Sequence, residues 1–184
     1  MVPEADAEEL PHLPLDPLGS AAEIRDRLDF EVRLVVVGPE DPRFPEARTL
    51  AAALGIEGAV QWRGEIDADG LRDAYRDADV LCLPSLYEGF GLPALEAMAS
   101  GTAVVCSDRG GLPEVVGEAA LQFSPAEPDQ LPAALLAALT DREATARRVE
   151  AGVTRAAAFT WERTARDTLR VYEEVAAESA TTRS

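Results

Sequence analysis

Two carboxylates, Glu88 and Glu96, bracket the segment Glu88-Gly89-Phe90-Gly91-Leu92-Pro93-Ala94-Leu95-Glu96. The spacing is unusual for a plain surface loop, because two glycines flank an aromatic residue and a proline then opens an apolar run. Glycine lets a backbone approach a ligand closely, and the free amides of a helix start attract phosphate or other polar oxygens. A carboxylate accepts two hydrogen bonds at once, so one of the pair can grip a vicinal diol such as a ribose. The other can orient sugar hydroxyls and stabilise developing positive charge. From these residues alone a plainer reading stands beside the chemical one: glycine-rich turns are common between strands and helices, and an early helical glutamate often only complements the helix dipole.

The elements that must position this segment alternate. Val32-Arg33-Leu34-Val35-Val36-Val37 is a β-branched run ended by Gly38-Pro39, and further strands are predicted at 59–62, 79–83, 103–107 and 121–123. Helices are predicted over 21–29, from Pro45 to about Leu54 with Gly55 as its cap, over 68–77, from Pro93 to Gly101, and near 113–116. From Pro128 onward the pattern is helical, with Thr160 as a cap for a last helix that carries Leu169, Tyr172 and Val175 on one face. Alternation with strands that are apolar throughout predicts an α/β, Rossmann-like, doubly wound parallel sheet with a helical C-terminal segment. Ligands of such sheets bind outside the carboxyl ends of the strands, where the Glu88 loop falls. Residues 1–20 hold four prolines and many acids and are expected to form a poorly ordered tail; 21–178 form the domain, and 179–184 a second tail.

Composition narrows the chemistry. The net charge is −17, spread along the chain, with 34 acids against 17 basic residues, all of them arginine. Nucleic acid is therefore not an expected partner, since it demands a basic face. Cys82 and Cys106 lie in apolar runs and are expected as buried free thiols, while His12, the only histidine, sits among prolines and receives no role. No secretory leader pattern opens the sequence and no apolar run is long enough to span a bilayer, so a soluble, cytoplasmic protein is expected.

Several stations along the chain together resemble the retaining glycosyltransferases of GT-B architecture, family 4. They are Leu34-Val35-Val36-Val37-Gly38, Val60-Gln61-Trp62-Arg63-Gly64, the run from Tyr75 to Ser85, Glu88 through Gly101, Gly110-Gly111-Leu112-Pro113-Glu114-Val115-Val116, and Phe159-Thr160-Trp161-Glu162. The resemblance implies a C-terminal domain that binds a nucleotide-diphosphate sugar and transfers a hexosyl group with retention, without metal or other cofactor. It gives Glu88 the place beside the reacting sugar and Glu96 the ribose diol. Gly89, Phe90, Gly91 and Leu92 take the sugar and diphosphate, Gly64 and Glu65 border the base, and Gly38 borders the same cleft. Glu114 is read as securing a short helix.

Such enzymes neutralise the diphosphate with an arginine and a lysine that precede the strand matching Leu34–Val37. This chain has no lysine, and its first thirty residues do not show the turn that carries them. The N-terminal acceptor-binding half is also expected to lie elsewhere, and the acceptor, whether glycan, lipid or small molecule, is not legible. A non-catalytic nucleotide-sugar-binding module is the alternative, followed by a GT-B relative such as a nucleotide-sugar epimerase.

Overall fold

Short apolar runs closed by glycine or proline become strands, and the computed structural model describes residues 16–39 and 46–181, with side chains to 177. β1 (Leu34–Val37) and β2 (Val60–Gly64) pair in parallel, Leu34 opposite Val60. β3 (Val80–Leu83), β4 (Ala103–Ser107) and β5 (Leu121–Phe123) form a second parallel sheet in that order. The sequence predicts one continuous sheet; among the described residues there are two, because β1 and β3 do not pair with each other. The α/β, Rossmann-like character stands.

β4 shows why its residues carry no period of two. All five positions are buried, with Val104 and Cys106 in one cluster beside Met98, Leu112 and Val116. Val105 belongs to the opposite cluster, with Phe123, Leu131 and Leu135. Both faces are covered by helices, as a central parallel strand requires. The first cluster is built from α4 (Leu92–Ala99), α5 (Leu112–Val116) and the end of α3 (Ala68–Asp77); the second draws on α6 (Gln130–Thr140).

The first helix departs from expectation. α1 spans Pro17–Arg25 rather than starting at Ala21. Asp16 accepts a hydrogen bond from the Leu18 amide at 3.0 Å, and Pro17 occupies the first turn, so Asp-Pro is an N-cap pair that proline-rich composition concealed. Leu18 and Ser20, placed in the tail by composition, are buried. Residues 1–15 and the predicted helix start at Pro45 lie outside the described residues; α2 is described from Glu46 to Ala53.

α1 also joins the two sheets. Leu18 and Ala21 pack with Ala51, Ile56 and Val60 on the β1–β2 side, whereas Ile24 packs with Val105, Phe123 and Leu131 on the other. Arg25 Nη1 adds a hydrogen bond to the Gly55 carbonyl at 2.9 Å.

α7 (Arg142–Ala156) precedes α8 (Trp161–Thr181). Thr160 caps α8 as expected, its Oγ1 accepting from the Arg163 amide at 3.2 Å. The stripe of Leu169, Tyr172 and Val175 is present but exposed. No helix among the described residues is long and apolar enough to cross a membrane.

Truncating Ile24 removes the α1 side chain that reaches the β4–β5 core. Ile24→Ala should lower unfolding free energy by about 2–5 kcal/mol in a urea titration. A loss under about 1 kcal/mol would mean that this contact does not hold α1 to the second sheet.

Candidate functional site

The strands within each sheet are parallel, so each sheet opens its loops at the carboxyl ends of its strands. At the ends of β1 and β2 the Gly38 amide donates to the Gly64 carbonyl at 2.8 Å. That bond draws Gly38, Gly64 and the exposed Glu65 into one group. At the end of β3 a loop leads through Glu88 to α4, which brings Gly89, Phe90, Gly91, Leu92 and Glu96 into a second group. The two groups sit on different sheets.

The Glu88 loop is held mainly by backbone. The Gly111 amide donates to the Glu88 carbonyl at 2.8 Å. A β-carbon on Gly110 would stand 2.2 Å from that same carbonyl oxygen, and one on Gly111 2.5 Å from the Gly89 carbonyl. Only glycines admit so close a backbone approach. Beneath the loop, buried Ser107 donates from its Oγ to the Ser85 carbonyl at 2.5 Å. Ser85 in turn offers its hydroxyl to Glu88 Oε2 across 3.4 Å, a long bond that orients the carboxylate loosely.

α4 begins at Gly91, which is left-handed with φ 94° and provides no side-chain cap. Pro93 has no N–H, and the amides of Ala94 and Leu95 donate to the Gly91 carbonyl at 3.0 and 3.3 Å, so the Leu92 amide is the first-turn donor open to a polar oxygen. The sequence places Glu96 in the first turn or so; it lies in the second, on the exposed side of a helix whose Ala94, Leu95, Ala97 and Met98 are buried. Tyr75 at the end of α3 donates its hydroxyl to Glu96 Oε2 at 3.1 Å. The Tyr75 carbonyl accepts from buried Thr102 Oγ1 at 2.6 Å, which ties α3 to the entry of β4. Burial first, and the neighbouring Glu96 charge and hydrogen bond second, push the Tyr75 phenol well above its ordinary range. It stays a proton donor, so one oxygen of Glu96 is committed to the protein.

Phe90 turns elsewhere. Its ring meets Phe159 edge-on at 5.9 Å and 75°, and the Arg155 guanidinium lies 5.9 Å over Phe159. Arg155 also donates to the carbonyls of Val115 and Glu114. Those bonds fix the C-terminal end of α5, whose Leu112 packs against Gly91. The Phe90 side chain thus anchors the loop. A groove of about 1020 Å³ runs past Phe90, Arg155 and Phe159 but is lined by neither carboxylate. Chemistry, not size, locates the candidate site.

Sequence reasoning missed Tyr75 and Thr102 as supports of Glu96, and Ser107 and Arg155 as supports of the Glu88 loop. Nothing local announces them, since Tyr75 reaches a residue 21 positions away and Arg155 one 41 away. The Gly110-Gly111 pair was visible, but its partner was not. Cys82 and Cys106 are free thiols pushed up to about 12, chiefly by burial.

Two outcomes follow from this geometry. Gly110→Ala must move the Glu88 carbonyl and adopt φ +59°, so thermal unfolding should show a loss of about 1–3 kcal/mol; an unchanged melting curve would refute the close packing. The thiols set an alkaline limit. Their folded values lie above the ordinary 9.0, so the unfolded chain loses these protons first. The stability they contribute is whole below about pH 9 and falls as pH rises towards 12. Urea midpoints measured from about pH 8 to 11 should decline less steeply in a Cys82→Ala/Cys106→Ala variant, and equal slopes would remove the thiols as the cause.

Residues 17–155 match the family described as glycosyl transferases group 1. The MMP alpha-(1->4)-mannosyltransferase of Mycolicibacterium hassiacum is 41% identical over 161 residues, covering 85% of this chain and 39% of that protein. Among solved structures, sucrose-phosphate synthase from Thermosynechococcus elongatus superposes with a TM-score of 0.75 at 29% identity, over 89% of this chain and 43% of that one. The C-terminal domain of a glycosyl transferase group 1 family protein from Francisella tularensis gives 0.69 at 26%, over 77% of this chain and 75% of that one. The chain therefore spans less than half the length of the mannosyltransferase and belongs to the glycosyl transferases group 1 family.

Proposed function

We propose that this chain is the donor-binding half of a retaining hexosyltransferase that uses a nucleotide-diphosphate sugar. The observation that carries the reading is the placement on α4 of both a glycine-led start, where the Leu92 amide is open, and Glu96, which Tyr75 of α3 holds. An open amide beside glycine backbone suits a phosphate oxygen, and a carboxylate with one oxygen engaged suits a diol. Glu88, half-buried in the loop before them, is the group placed to face the sugar at its reacting carbon.

In the reaction proposed, the bond from the anomeric carbon to the diphosphate oxygen breaks and the acceptor hydroxyl oxygen bonds on the same face. Its proton passes to the departing diphosphate. Glu88 would stabilise the positive charge that develops on the sugar. Gly38, Gly64 and Glu65 would border the base through main-chain groups, and no metal enters the scheme. The acceptor half belongs to the length of the relatives that this chain does not span.

A second reading has one observation in its favour. The chain contains no lysine, and a leaving diphosphate needs cations, so a module that binds a nucleotide sugar without transferring it is the rival.

Calorimetric titration with UDP, GDP and ADP and their glucose or mannose conjugates tests the shared part. One nucleotide should bind, and Glu96→Ala should weaken it by about tenfold or more, the loss of charged hydrogen bonds worth ~1.5–3 kcal/mol. Tyr75→Phe should weaken it less, because it frees Glu96 without removing it. No binding of any nucleotide to the folded chain would refute the donor site, and sugar transfer measured in the presence of an acceptor half would decide against the rival.

A further inference from the structure

The Glu88 loop has a stretch that no backbone bond holds. The Glu88 carbonyl is fixed by the Gly111 amide at 2.8 Å, and the Gly91 carbonyl accepts the amides of Ala94 and Leu95. Between those points, among the described residues, neither Gly89 nor Phe90 makes a backbone hydrogen bond. Glycines flank Phe90 on both sides, and Gly91 is left-handed at φ 94°, so this short backbone is unusually free. The side chain that restrains it is the Phe90 ring, which meets Phe159 edge-on with centroids 5.9 Å apart.

Phe159 occupies the joint between α7 and α8. Its amide donates to the Ala156 carbonyl at 3.0 Å at the close of α7, and the next residue, Thr160, caps α8. Arg163, in the first turn of α8, reaches back past Phe159 to the Ala158 carbonyl at 3.3 Å. From α7, the Arg155 guanidinium lies 5.9 Å over the Phe159 ring while it bonds the Val115 and Glu114 carbonyls. Beyond this joint α8 is exposed at every described position except Asp167. The residue that fixes how α8 leaves the domain is thus also the residue that bears on the Glu88 loop.

We propose that Phe159 is a positioning residue for the diphosphate end of the donor site, acting through Phe90 on the backbone of residues 89–91 and the open Leu92 amide, and coupling that end to the start of α8. The role rests on the donor-site reading above. It is selective. Glu96 has its own support in Tyr75, and Gly38 and Gly64 lie at the other sheet, so binding of the nucleoside part does not depend on the ring pair. Binding of the phosphate oxygens and the sugar does. A stretch left loose by loss of either ring must be ordered by the ligand, an entropic cost that lowers affinity. Phe90 and Phe159 are 45% and 40% exposed, so truncating either leaves no closed cavity and the domain stays folded.

The test is an NMR titration of the full chain with whichever of UDP, GDP and ADP binds, its nucleoside, and its glucose or mannose conjugate. Phe159→Ala should weaken the diphosphate and the conjugate about three- to tenfold, the worth of one aromatic pair, and leave the nucleoside unchanged. Phe159→Tyr, which keeps the ring, should hold wild-type affinity, and combining Phe159→Ala with Phe90→Ala should add nothing to either alone. In the unliganded Phe159→Ala chain, amide exchange should quicken at residues 89–92 and stay as in the wild type along β4. By reciprocity, bound conjugate should slow exchange at residues 159–164 in the wild type and not in Phe90→Ala. Equal losses on nucleoside and conjugate, no loss, a loss shared by Phe159→Tyr, or exchange quickened throughout the domain would each overturn the positioning role and leave the donor site standing. A wild-type chain that binds none of the nucleotides sinks the donor site itself, and this role with it.

Discussion

The approach of one backbone turn to another, Gly110-Gly111 against Glu88-Gly89, is the constraint on which the rest of the site depends. A carbonyl and an amide meet there at 2.8 Å with no room for a β-carbon. A glycine-rich loop left to itself would carry a large conformational entropy, and a carboxylate on it would have no fixed position. Here the loop is clamped from three directions. Ser107 holds its start from the buried end of β4; the glycine pair holds its middle; Phe90 holds its far side through Phe159. Arg155 then fixes the far, C-terminal end of α5, the helix that the glycine pair precedes. Rigidity at Glu88 is thus assembled from parts of the chain that are far apart in sequence.

Glu96 is fixed by different means. It lies on a regular helix, where its neighbours Leu95 and Ala97 are buried and set the helix rotation. Tyr75 needs only to choose the rotamer. Its phenol, kept protonated by burial and by the glutamate it faces, donates to one carboxylate oxygen. Two carboxylates of the same type are thus held in different ways, one on a clamped loop and the other on a helix with one oxygen engaged.

Much of this fold was legible in the sequence. The helix at 68–77 and the strands at 103–107 and 121–123 were set by apolar runs with sharp punctuation, and they form where expected. α1 was misplaced because proline weighs towards disorder in composition but towards helix initiation when it follows Asp16. The division of the sheet could not be read either, since an apolar run such as Leu34–Val37 looks the same whether it has one neighbour or two. At the candidate site, type and spacing single out Glu88, Glu96 and the glycines, and the structure brings Glu88, Gly89 to Leu92 and Glu96 onto one loop and helix while Gly38, Gly64 and Glu65 lie at the other sheet. Their supports were not, because Tyr75, Ser107 and Arg155 act through contacts across 21 to 41 positions that no local pattern encodes.

Family membership sharpens what the geometry means. Relatives such as the mannosyltransferase are more than twice as long as the part matched here, and the described surface carries two apolar features. The stripe on α8 is apolar and exposed, and the edges of β1 and β3 are apolar and unpaired. An apolar, well-packed centre around β4 is thus flanked by two surfaces of exposed or half-buried apolar residues. The core clusters explain how the centre holds its shape without those surfaces being covered: one gathers around β4, α4 and α5, the second around β4, β5 and α6, and α1 links the second to the β1–β2 side. The Glu88 loop and Glu96 are built entirely on the first of these, so the geometry of the two carboxylates does not wait on the uncovered surfaces, whereas the relation of the Gly38–Gly64 group to them runs through α1 and the open edges between the sheets.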